Sequence, residues 1–316
     1  MWYSRAIILW ILLLIVSVLL SLSWGIGAMN DTLSQTILFQ VRMPRMLQAL
    51  LAGIGLTIAG QMFQTLLNNP LADSFTLGLA SGATLGSGLA VVMGVSFIWL
   101  PVFSMVFSIT TLILVITLTS VMSKGYPVKT LILAGIMIGA LFNAFLYVLI
   151  IFNQSKMNNI VNYMFGGFST AEYNEVTYIG IVLIFCLIIL FSMISKIKLL
   201  QLGDLRAQSL GLNVRAVTYI VLFIATIVTA VIVAYVGVIG FIGMVIPQLI
   251  RRIKRNYRLG QQMVLNIIIG GTIMVLSDWI GSIVLDPFQI PASIILALLG
   301  IPVLFYLMAT QQRVQE

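Results

Sequence analysis

Apolar runs of about twenty residues, separated by short polar or Gly- and Pro-containing breaks, fill almost all of this 316-residue chain. A bilayer hydrocarbon core about 30 Å thick needs roughly 20 apolar residues of helix to cross it. Ten stretches meet or approach that length: Ala6 to Trp24, Met46 to Leu67, Leu77 to Ile98, Val102 to Met122, Leu131 to Phe152, Val176 to Ser195, Ala216 to Val236, the short Gly237 to Ile250, Met263 to Leu285 and Ile290 to Ala309. The pattern predicts an all-α polytopic membrane protein, one transmembrane domain over 1–316. No clean small-x-small cleavage site follows the first span, which reads as an uncleaved anchor.

The stretch from Arg42 to Asp73, RMPRMLQALLAGIGLTIAGQMFQTLLNNPLAD, organises the rest. It joins two arginines to an Asn-Asn-Pro turn across one span, so its ends face opposite compartments. Pro70 reads as the start of the next helix and Pro101 as the start of another, where a missing amide donor costs least. Gly78, Gly82 and Gly86 share one helical face and predict close packing. Gly135, Gly139 and Asn143 repeat at the same spacing, a stripe that fits either a helix interface or a solvated path.

Between spans, Gly25 to Val41 and Asn153 to Glu175 are expected outside, the latter with Phe165-Gly166-Gly167-Phe168, and Ser123 to Lys129 inside. Leu199 to Arg215, LLQLGDLRAQSLGLNVR, is too polar to cross. Its apolar positions fit two short helical turns on the membrane surface, bent at Gly203 or Gly211.

Charge sets the orientation. Of 16 Lys and Arg residues, only Arg42, Arg45 and Lys156 fall in outer segments. The rest lie in inner ones, including five between Arg251 and Arg258. Positive residues favour the cytoplasmic side, so both termini are placed there. The net charge of +8 then belongs to topology, not to a nucleic-acid partner. Spans two to five and seven to ten begin in opposite senses, which allows an inverted repeat.

Composition narrows the chemistry. The chain is 61% hydrophobic and 8% charged, with mean hydropathy +1.15. It has no His and one cysteine, Cys186, so ligands favoured by transition metals are nearly absent and no metal site is expected. No G-x-x-x-x-G-K-[ST] loop is present, which puts any ATP use on another chain. Glu172 and Glu175 read as a solvated loop edge. Asp278 is the one acid near the bilayer core, either functional or at a helix end. An ion-coupled secondary transporter would have to rest on it alone, and a membrane enzyme has little to work with.

RMPR at 42–45, GLTIAGQMFQTLLNNPLAD at 55–73, LGLASGATLG at 77–86, LGLN at 210–213, GVIGFIGMVIPQLIRR at 237–252 and LGIPVLF at 299–305 together resemble the FecCD-type permeases. These are the membrane subunits of ABC importers for iron-siderophore complexes, haem and cobalamin. The resemblance implies a ten-helix permease paired with a second copy or paralogue, two ATPase subunits that carry ATP and Mg²⁺, an extracytoplasmic substrate-binding protein, and no cofactor in this chain. Its cargo is expected to be an iron complex, with cobalamin as the alternative.

The resemblance also implies roles. Arg42 and Arg45 match the outer arginines that dock the binding protein, and with Ser282 in place of a frequent Arg, docking is expected to lean on these two and on Lys156. Leu199 to Asn213 matches the ATPase coupling segment, with Gly203, Asp204, Ala207, Leu210 and Gly211 as its contact positions. The path is expected along span five, at Gly135, Gly139, Asn143 and Tyr147. Three positions depart from the family pattern: Gln248 stands where His is usual, Ser282 where Arg is frequent, and Gln289 where Glu is usual.

Overall fold

The computed structural model describes residues 2–24, 32–122, 128–156, 164–253, 257–285 and 288–312. At its centre runs α3 (Met43–Leu66), covered on nearly every side. Small residues make that burial possible. Gly53 of α3 sits so close to α12 (Leu259–Ile283) that an added Cβ would lie 2.3 Å from the Gly270 carbonyl oxygen. Gly60 meets α11 (Ile242–Ile253) more tightly still, where a Cβ would come within 1.9 Å of the Gly243 oxygen. At these two points backbone packs on backbone, which only glycine allows.

The polar side chains of α3 bond to the helices around it. Thr57 Oγ1 donates to the Gly53 carbonyl and lies 3.1 Å from that of Asn266. Asn266 Nδ2 donates to Gln61 Oε1 at 2.9 Å, and Gln64 Nε2 to the Met244 carbonyl at 2.9 Å. In an apolar surround each such bond satisfies one polar atom that would otherwise be costly to bury, while Gln61 Nε2, Gln64 Oε1 and Asn266 Oδ1 are buried without a partner.

Upstream, helix begins earlier than expected. Gly25 to Val41 was predicted as a connecting segment; Gly25 to Asp31 lie outside the described residues, but Thr32 onwards is helical. Thr32–Ile37 (α2) runs into α3 through a π turn at Leu38–Arg42, making a continuous helix of 35 residues. The π turn falls directly before Pro44, whose missing amide would otherwise break the regular ladder.

Directly on α3 pack α1 (Trp2–Ser23), α7 (Tyr173–Ser192), α10 (Val214–Val236), α11 and α12, while α4 (Leu79–Met93), α5 (Leu100–Met122), α6 (Val128–Phe152) and α13 (Ala292–Gln312) pack on these or on one another. Two short helices, α8 (Ile194–Leu200) and α9 (Asp204–Ser209), link α7 to α10. Among the described residues, seven helices are long and apolar enough to cross a membrane. At 15 and 12 residues, α4 and α11 extend only about 22 and 18 Å. The full-length third span expected over Leu77 to Ile98 is therefore corrected to Leu79–Met93, closed at both ends by left-handed glycines, Gly78 (φ 70) and Gly94 (φ 69). Gly82 and Gly86 pack on Thr111 and on the Phe103 and Phe107 carbonyls of α5, as their spacing predicts.

Each short helix has a non-helical lead. Residues 67–78 return from the end of α3 to the start of α4. Pro70 lies in a turn there, not at a helix start. Asn69 Oδ1 accepts from the Leu71 amide, and buried Asp73 accepts through Oδ1 from the amides of Phe75 and Thr76. These side-chain bonds compete with the helix and delay it to Leu79. The corresponding lead to α11, 237–241, has Gly237 at φ 81 and Phe241 at φ 69.

The order long, short, long, long thus occurs in α3–α6 and again in α10–α13. Their packing corresponds too: α3 lies on α12 as α10 lies on α5, and α3 lies on α11 as α10 lies on α4. That exchange of partners is what an inverted repeat of the two halves produces.

Candidate functional sites at the two ends of the central helix

At its N-terminal end, α3 carries Arg42 and Arg45. Arg45 grips Asp278 of α12 in a bidentate pair, with Nε to Oδ2 at 2.7 Å and Nη2 to Oδ1 at 2.8 Å. Its remaining nitrogen, Nη1, donates to Gln289 Oε1 at 3.0 Å. Parallel N–H donors matched to a carboxylate make this the strongest form of the interaction. The side chains are 15% and 6% exposed, so the pair is mostly shielded from solvent. Asp278 is thereby a structural acid at a helix end, the second of the two roles open to it from sequence. Arg42 is half-buried, and its Nη1 donates to the Trp24 carbonyl. The Lys156 side chain lies outside the described residues.

Glu175 is not a solvated loop edge. It is 4% exposed in the first turn of α7, and its carboxylate accepts from Gln48 Nε2 at 2.8 Å. A signal for it existed in Gln48, a polar residue inside an apolar span that needed a partner. Ser282 bonds back to the Trp279 carbonyl, while Gln248 is 7% exposed with its Oε1 unpartnered. Replacing Asp278 with Asn is expected to cost about 1.5–3 kcal/mol through the loss of charged hydrogen bonds. Combining it with Arg45→Gln should recover part of that loss, as measured by thermal unfolding in detergent.

Beyond the other end of α3 lies the segment predicted to couple. Within Leu199 to Arg215 one short helix forms, α9, where the apolar spacing suggested two, since α8 ends at Leu200; both glycines make bends, with Gly203 (φ 91) entering α9 and Gly211 (φ 79) leaving it. Asn213 Oδ1 then caps α10 by accepting from the Ala216 amide. Of the five named positions, Ala207 is fully buried and anchors the segment, while Gly203, Asp204, Leu210 and Gly211 are exposed. Sequence spacing did not single out Leu205, which is 84% exposed and the most prominent apolar group on this surface. Leu202 and Leu210 flank it, also exposed.

The residues named for a path divide between two faces of α6. Gly135 and Gly139 are buried against the lead into α4; a Cβ on Gly135 would meet the Thr76 oxygen at 2.5 Å, and one on Gly139 would meet the Gly78 Cα at 3.3 Å. They belong to a helix interface. Asn143 is half-buried, and Tyr147 stands on the exposed face with Met137, Leu141 and Phe145.

Comparison with known proteins fits this architecture. Over 86% of its length the chain is 30% identical to the molybdate import system permease protein MolB of Haemophilus influenzae, covering 80% of that protein. It is 31% identical to the Fe(3+)-citrate import system permease protein YfmE of Bacillus subtilis, over 96% of this chain and 95% of the relative. It is 30% identical to the iron(3+)-hydroxamate import system permease protein FhuB of Escherichia coli, over 95% of this chain but 46% of that longer protein. A solved inward-facing structure of a metal-chelate type ABC transporter superposes with a TM-score of 0.86 at 30% identity, covering 97% of this chain and 99% of that one. The FecCD transport family matches residues 5–310, so this integral membrane protein belongs to the FecCD transport family as a permease component of ABC importers.

Proposed function

We propose that the chain is the permease subunit of an ATP-driven importer that carries an iron complex across the cytoplasmic membrane by alternating access. The α8–α9 segment carries this reading: a short, bent, membrane-flanking pair with Ala207 buried beneath and Leu202, Leu205 and Leu210 exposed above is suited to the groove of a soluble partner. Two ATPase subunits bind there and hold the ATP and Mg²⁺; the permease needs no cofactor of its own. Their movement is passed to α10 through the Asn213 cap. This end faces the cytoplasm, in keeping with the basic residues around it.

The opposite end receives the substrate-binding protein. Arg42 makes the direct contact, since the donors of Arg45 are engaged with Asp278 and Gln289. Arg45 serves as the brace that fixes the rim, and Lys156 is the third residue assigned to docking. A second permease copy or paralogue covers the apolar faces of α6 and α13, where Phe145, Tyr147, Phe305 and Tyr306 are exposed. FhuB, roughly twice as long as the part matched here, has room for two such units in one chain. The path runs between them, past Tyr147 and Asn143.

An iron chelate is the preferred cargo because YfmE and FhuB carry iron complexes by name, while MolB marks molybdate as the competitor. Reconstitution with the ATPase and binding protein, followed by uptake of ferric citrate, ferric hydroxamate, haem, cobalamin and molybdate, tests the proposal. ATP-dependent uptake of an iron complex is expected. Uptake without the ATPase, driven by a proton gradient and abolished by Asp278→Asn, would overturn it.

A further inference from the structure

At the end of the bundle that carries the coupling segment, a groove of about 470 Å³ opens between α1, α7, α8 and the start of α12. It exists because its walls pack elsewhere: α1 lies on α12, while α7 lies on α3 and α10. Both walls are on the outside of the molecule, where Leu9 and Leu12 of α1 and Phe185 and Ile188 of α7 are exposed. In a membrane the groove therefore opens towards lipid. Its size falls within the roughly 300–1,000 Å³ of small-molecule sites.

Two kinds of chemistry meet in it. Phe191 of α7, Ile194 of α8 and Val264 of α12 give it an apolar body. Gly260 keeps that body open, since an added Cβ there would already come within 3.4 Å of Ile194 Cδ1. Lys198 of α8 and Arg258, the residue before α12, supply two positive charges. Both are exposed, neither forms an ion pair among the described residues, and no carboxylate lines the groove. Tyr3 completes the wall, edge-on to Tyr257 with ring centroids 5.1 Å apart. Tyrosine beside long basic side chains is the composition of a helix end at the headgroup level of a bilayer.

A neutral lipid would cover the apolar body and leave both cations unpaired; a soluble anion would pair the cations and leave the apolar body bare. A basic pocket between membrane helices suits a ligand that does both. We propose that this groove binds one anionic phospholipid, its headgroup phosphate on Lys198 and Arg258 and an acyl chain along Phe191, Ile194 and Val264. Because Lys198 belongs to α8, the lipid ties the base of the coupling segment to α12. The binding rests on the groove and its charges; only the assignment of the lipid to the cytoplasmic leaflet rests on the orientation proposed above.

The test uses the full chain, purified in a neutral maltoside detergent and offered phosphatidylglycerol and phosphatidylcholine in equal amounts, with bound lipid counted by native mass spectrometry. One phosphatidylglycerol should be retained about tenfold over phosphatidylcholine. Lys198→Gln combined with Arg258→Gln should erase that preference. Arg5→Gln combined with Lys196→Gln removes the same charge from exposed positions of α1 and α8 outside the groove, and should leave the preference intact. Gly260→Leu should release the lipid by filling the groove with both cations in place. The proposal is overturned if the wild-type chain shows no preference, if neither double variant loses it, or if folded Gly260→Leu keeps it. Equal loss in the two double variants would mean diffuse attraction to a basic surface and would overturn it too. Displacement of the lipid by the ATPase subunit would assign the groove to that partner instead. All four charged positions are exposed, so their comparison decides the matter even where Gly260→Leu fails to fold.

Discussion

Gly60→Val is expected to yield almost no folded protein. A Cβ at this position would meet three atoms of Gly243, the carbonyl oxygen at 1.9 Å, the carbonyl carbon at 2.5 Å and Cα at 2.7 Å. None is the tip of a side chain that could swing aside. Ordinary overpacking costs about 1–3 kcal/mol because neighbours can give way; here α3 or α11 must move as a body, breaking the Gln64 bond to Met244 in the same region. Gly180→Ala in α7 is the control, since its Cβ would find only Leu51 Cδ1, at 3.7 Å, and should be neutral. Fluorescence-detected size-exclusion profiles of the two variants in mild detergent would separate them. A monodisperse Gly60→Val peak at wild-type yield would refute the backbone contact.

Leu205→Glu should leave the fold intact and uncouple the permease. At 84% exposure the side chain contributes little to the chain's own core. Burying a leucine in a partner's groove yields about 1.5–3 kcal/mol, so its loss should weaken ATPase association by roughly 10- to 100-fold. A buried glutamate would add to that. Copurification of the ATPase measures the effect, and uptake should fall in parallel while unfolding temperature stays put. Ala207→Glu should behave differently, because Ala207 is fully buried: there the segment itself should come loose and the unfolding temperature drop. Equal ATPase recovery by wild type and Leu205→Glu would remove Leu205 from the interface.

The membrane helices and their order were legible in sequence because crossing a bilayer imposes a length and composition that soluble packing does not. Where α4 falls short of that length, the hydropathy pattern overran it at both ends; α11 reads as short in the sequence too, but begins at Ile242 and not at Gly237. Gly237 to Phe241 reads as helix in the sequence, and Pro70 as a helix start, yet Asn69 and Asp73 side-chain bonds and positive-φ backbone at Gly78, Gly237 and Phe241 hold both leads out of it. The Gly spacing in α4 correctly announced close contact, but the same spacing in α6 does not say which contact: Gly135 and Gly139 face the lead into α4 rather than open space.

The coupling segment was readable because a polar, glycine-bounded stretch between spans has few alternatives. Its most exposed leucine was not, since burial depends on neighbours distant in sequence. The arginines were visible as charges at a helix end. Their division into a brace and a freer group depends on Asp278 and Gln289, which lie 233 and 244 residues away from Arg45.

That separation bears on the order in which the protein can be made. A ribosome adding about 5–20 residues per second needs roughly 10–50 s to travel from Arg45 to Asp278. During that interval α3 is completed first, while α7, α11 and α12, which supply the partners of Gln48, Gln64 and Gln61, are added only later in turn. The most deeply buried helix of the finished protein is therefore among the first to be inserted and the last to be enclosed. Its amide side chains must wait in lipid or in the care of the insertion machinery, and a chain truncated before α12 should be recognised as unfinished by the cell's membrane proteases.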